Sequence, residues 1–96
     1  MSDLPELTRW RLVAEAFAAG AAKLEGDPKA VQTVLRVVRD VVRQVGGPVE
    51  LPGHVAEWFR AAEFANPAAS EVINDFQLLE RKARVESERQ VGHEQA

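Results

Sequence analysis

From residue 3 to residue 25, apolar residues recur at alternating intervals of three and four. Leu7, Trp10, Ala14, Phe17, Ala21 and Leu24 fall on one side of a helix, and Val13 widens that side. Asp3 can cap this helix, Pro5 stands where a missing N–H is harmless, and Glu6 suits the positive end of the dipole. Gly20 interrupts the interior at a cost of about 1 kcal/mol relative to alanine. The compensation it suggests is close packing, which Ala14, Ala18 and Ala21 also allow. Gly26 ends the segment.

Asp27-Pro28 opens a second helix over 28–45, the acid as N-cap and the proline at the first helical position. Val31, Val34, Leu35, Val38, Val41, Val42 and Val45 share one face, with Val37 at its edge. Their arc is about 160° at 100° per residue, wider than one neighbour needs, so the pattern predicts a central helix with at least two neighbours. The β-branched run VLRVVRDVVRQV also suits a strand, but alternation fails and the length is excessive for one. Gly46-Gly47-Pro48 stops the helix. Residues 46–53 then form a stiff loop in which Val49 and Leu51 alternate around Glu50.

A third helix is predicted over 54–65, with Val55, Trp58, Phe59 and Ala62 inward. Asn66-Pro67 repeats the cap-and-proline device and opens a fourth helix over 67–88. Ala69, Val72, Ile73, Phe76, Leu79 and Ala83 form its buried face. Beyond Ala83 the apolar pattern stops, so residues 89–96 read as a disordered tail. Glu80–Arg84, Lys82–Glu86 and Arg84–Glu88 are four apart and can pair on the surface.

These elements predict an all-α, compact four-helix bundle in a single domain over residues 1–88, with helix two central. The alternative is a dimer in which two chains complete a larger bundle, because a chain this short builds a thin core.

Composition supports helices and removes several functions. Fifteen alanines outweigh the strand preference of thirteen valines once the spacing is read. Alanine, valine and arginine enrichment is associated with GC-rich bacterial and phage genomes. The absence of cysteine excludes disulfides, thiolate metal sites and thiol nucleophiles. No run of apolar residues is long enough to span a membrane. Asp3, Glu6, Arg9 and Arg11 do not form a secretion signal, so the expected location is cytoplasmic.

No catalytic set emerges. His54 begins helix three with Glu50 and Glu57 nearby, and could act as a general base oriented by Glu57. Without a nucleophile or a second acid, it reads better as an exposed capping histidine. His93 falls in the tail. Two histidines do not make a zinc site, and Glu50 stands four residues before His54 rather than the three of a bundle metal motif. No phosphate-binding glycine motif is present. The sequence therefore predicts no enzyme, no cofactor and no metal.

Charge is uneven. The net charge is −3, yet helix two, counted from Asp27, has four basic and two acidic residues. Arg36, Arg39 and Arg43 form one stripe on its outer side, with Lys29 beyond. The stripe could bind carboxylates or phosphates, or simply be a solvated face near a helix C-terminus. Helices three and four resemble a helix-turn-helix in spacing only. The second would present Glu71, Asn74 and Asp75 to phosphates, with no basic residue before Arg81.

Four apolar residues lie off the core faces: Leu12, Phe64, Leu78 and Val85. Together with the arginine stripe they predict a non-enzymatic, homodimeric protein–protein interaction module, an adaptor, regulator or inhibitor of another protein. The alternative is a nucleic-acid-binding regulator that uses Arg36, Arg39 and Arg43 of a dimer.

Overall fold

A computed structural model describes residues 5–46 and 49–95. Four α-helices account for most of them: α1 Glu6–Gly26, α2 Val31–Val45, α3 Gly53–Arg60 and α4 Ala69–Gln95. There is no strand among the described residues, and the all-α four-helix prediction holds. Asp3, Gly47-Pro48 and the side chain of His93 lie outside the described residues.

Local chemistry sets the joints. Pro5 precedes α1, and its carbonyl accepts from Arg9 N–H at 3.1 Å. Asp27 follows α1, and its carboxylate accepts from Lys29 N–H at 3.3 Å. The cap and proline first make a single 3-10 turn, Pro28–Ala30, before α2 begins at Val31. Gly46 ends α2 in the left-handed region at φ 68°, where a side chain would be strained, and its N–H returns to Arg43 O.

The later joints differ from the sequence expectation. α3 stops at Arg60 rather than 65, because Ala61 leaves helical geometry and its carbonyl accepts from Phe64 and Ala65 in a turn. Side chains of α2 hold this segment: Arg39 Nη1 donates to Phe59 O at 3.4 Å and Gln32 Nε2 to Ala65 O at 3.3 Å. The Phe59 carbonyl belongs to the last turn of α3, where a helix end must satisfy its carbonyls from outside itself. α4 starts at Ala69, and the first amide bonds, from Glu71 and Val72, go to Ala68 O rather than to an Asn66 cap.

α4 also runs on to Gln95, through the stretch the sequence assigns to a tail. Its buried stripe continues from Val72, Phe76, Leu79 and Ala83 to Ser87, only 7% exposed. Ser87 is tolerated there because its hydroxyl donates to Arg84 O at 2.7 Å. At 1.5 Å per residue α4 is about 40 Å long, and it sets the long axis of a 45 × 26 × 22 Å molecule.

The central helix is α1, not α2. α1 lies along α4 for much of its length and also packs against α2. The wide valine arc of α2 is incompletely covered: Val37 is 56% exposed and Val41 half-buried. Gly20 explains how three helices converge. A Cβ there would stand 2.9 Å from Val38 Cγ2 of α2 and 3.0 Å from Phe76 Cε2 of α4. Phe17, Phe59 and Phe76 tie α1, α3 and α4 together. Phe17 and Phe76 meet edge to face at 5.1 Å, and Phe59 lies 6.4 and 6.2 Å from them.

Candidate interaction surface

The arginine stripe does not survive as a unit. Arg36 and Arg43 are exposed, as predicted. Arg39 is drawn in: its side chain is 19% exposed, pairs with Asp40 at 3.1 Å and reaches the Phe59 carbonyl. It serves as a strut between α2 and the end of α3, where a cation also suits the helix dipole. Arg39→Ala is therefore expected to cost about 1 kcal/mol in urea denaturation, through the lost bond and the lost packing of its stem. Arg36→Ala and Arg43→Ala should each stay within about 0.5 kcal/mol of the parent.

His54 finds neither Glu50 nor Glu57. Its Nε2 lies 2.8 Å from Asp75 Oδ2 of α4, and its ring stands edge-on to Trp58 at 5.1 Å. Glu57 instead pairs with Arg60. Asp75 is out of reach of any reading by sequence spacing, because only tertiary packing brings α3 and α4 together. Among the described residues, no hydroxyl or amine bonds to this pair, and no three carboxylate or imidazole groups converge as metal ligands. On α4, Glu80–Arg84 pairs at 2.8 Å, while Glu86 pairs with Arg89 at 3.0 Å rather than with Lys82.

The apolar set divides. Leu12 is half-buried and packs against the core, so it leaves the candidate surface. Phe64 is 83% exposed in the turn after α3. Leu78 and Val85, at 45% and 53%, stand two turns apart on the outer side of α4. They share the wall of a groove of about 820 Å³ with Trp10 of α1 and Val49 of the loop segment. Glu50, Arg81, Lys82 and Glu86 complete its lining. The groove gathers Leu78 and Val85 but not Phe64. Trp10 and Val49 were assigned to the core and to the loop by sequence, and nothing in their spacing marks them as groove residues.

No protein family, curated protein or solved structure matches this chain. The geometry therefore carries the functional reading alone. No helix of the described residues is long and apolar enough to cross a membrane.

Proposed function

We propose that the chain is a non-enzymatic interaction module that pairs with a second copy of itself through the Leu78–Val85 groove, and that it works in the cytoplasm as an adaptor or regulator. The groove carries this reading. Two large apolar side chains stand open to solvent beside Trp10 and Val49, and water is a poor neighbour for such a cluster. The charges around it favour a second copy as the occupant. A two-fold interface sets one patch against itself, so the patch must carry both signs in balance. Glu50 and Glu86 against Arg81 and Lys82 meet that requirement.

The non-enzymatic part of the reading is supported by His54, whose one acidic partner serves no adjacent nucleophile. The nucleic-acid alternative keeps only Arg36 and Arg43 on a chain of net charge −3. Leu78→Glu tests the pairing directly. Burying a leucine side chain is worth about 1.5–3 kcal/mol, so the self-association constant should fall by tenfold or more. An unchanged constant in sedimentation equilibrium would remove this face from the interface.

A further inference from the structure

Val37, Phe64, Leu78 and Val85 are the large apolar side chains that stand exposed among the described residues. The Leu78–Val85 groove accounts for two of them. The other two belong to features of opposite shape. Val37 is the lip of an open trough of about 300 Å³ between α1 and α2. Ala16, Ala19 and Gly20 wall it on α1, and Val34, Val37 and Val41 on α2. Its lining is almost wholly apolar, so the group that suits it is a hydrocarbon one without a polar head.

Phe64 has the complementary form. Its N–H and that of Ala65 donate to Ala61 O at 2.8 and 2.7 Å, and Gln32 of α2 holds the Ala65 carbonyl. The ring thus stands on a braced turn, and docking it orders little that is not already ordered. An aliphatic cavity of about 150 Å³ accommodates a benzene ring, so the trough has room for a phenyl group. Charge at the two rims also matches. Glu63 is exposed beside Phe64, and Lys23 is the one charged residue among the described residues that border the trough. Neither has an ion pair among the described residues.

The ring and the trough lie on different flanks of α2. Gln32 and Arg39 reach the end of α3 and the turn after it, whereas Thr33, Val37 and Val41 line the trough. At 3.6 residues per turn the two sets are roughly 150° apart. One chain therefore cannot fill its own trough, and a two-fold pair cannot present both features to each other. We propose that Phe64 of one copy seats in the α1–α2 trough of the next, with Glu63 beside Lys23, so that copies join head to tail. One ring buries far less than the roughly 1,200 Å² of a stable interface. The contact alone is accordingly weak, forming at millimolar and not at micromolar concentration.

The test mixes two full-length variants, both carrying Leu78→Glu/Val85→Glu so that the other groove takes no part. A labelled copy with Phe64→Ala keeps only the trough, and an unlabelled copy with Val37→Glu keeps only the ring. All of these positions are exposed, and circular dichroism should show the helices retained. At millimolar concentration, amide NMR shifts of the labelled copy should cluster at residues 16–23 and 33–41 and approach saturation as the partner is added. The labelled copy alone should show no concentration dependence. Lys23→Glu in the labelled copy should weaken the titration several-fold, and Glu63→Lys in its partner should restore it. The absence of shifts, shifts centred outside the trough, undiminished shifts from a partner that also lacks Phe64, or a charge reversal without rescue would each overturn the proposal. None of these outcomes bears on the Leu78–Val85 groove, so the two proposals fail separately.

Discussion

Phe76→Ala should lower the free energy of unfolding by about 3–5 kcal/mol and the thermal midpoint by roughly 20 °C. Phe76 is fully buried, meets Phe17 edge to face at 5.1 Å, lies 6.2 Å from Phe59, and presses its ring against Gly20. It borders Gly20, where α1 closes on α2, and also joins the aromatic contact among α1, α3 and α4. Truncation leaves a cavity among close-packed helices that relax only in part, so the cavity cost adds to the lost transfer energy. A domain of this size has only about 5–15 kcal/mol in total. Phe64→Ala is the matching control: that ring is 83% exposed, and its removal should leave the midpoint where it was. Calorimetry on both variants decides the matter. Equal midpoints would mean that the aromatic cluster does not hold the helices together.

Gly20→Val should destabilise nearly as much, for the opposite reason. Even the first carbon of a side chain would stand 2.9 Å from Val38 and 3.0 Å from Phe76. Both neighbours are buried, one is β-branched and the other a ring, so neither swings aside. Relief requires α1 to move away from α2 or α4. Overpacking of this kind costs about 1–3 kcal/mol per site, and valine adds two methyl groups beyond the atom that already clashes. Gly20→Ala is the milder member of the series. It gains about 1 kcal/mol of helix propensity and should end below the parent all the same. A rise in midpoint for the alanine variant would show that the three helices do not close on Gly20.

Gly20 also shows what the sequence made legible. A glycine inside a strong helical pattern calls for a packing reason, and the structure supplies one in Val38 and Phe76. The four helices and nearly all their buried positions follow from spacing in the same way. The arrangement of the helices does not, because a wide apolar arc on α2 states how much surface is apolar but not how much is covered. The arc proved partly open, with Val37 at the edge of a trough. The end of α4 was hidden because no apolar stripe continues past Ala83: Ser87 takes the last inward position, and residues 88–92 are exposed or half-buried. Arg39 was grouped with Arg36 and Arg43 by angle alone, and only the placement of α3 turns it from a surface charge into a strut. Leu78 and Val85 were visible as off-face residues. Trp10 and Val49, which complete their groove, were not, since a groove is made of distant segments and periodicity is local.

The central functional claim is that the Leu78–Val85 groove joins two copies of the chain. Sedimentation equilibrium of the parent and of Leu78→Glu/Val85→Glu, across one concentration series, tests it most directly. The account predicts a concentration-dependent dimer for the parent and a monomer for the double variant, with the helical circular dichroism spectrum retained in both. A parent that stays monomeric throughout the series, or a double variant that dimerises as well as the parent, would contradict it.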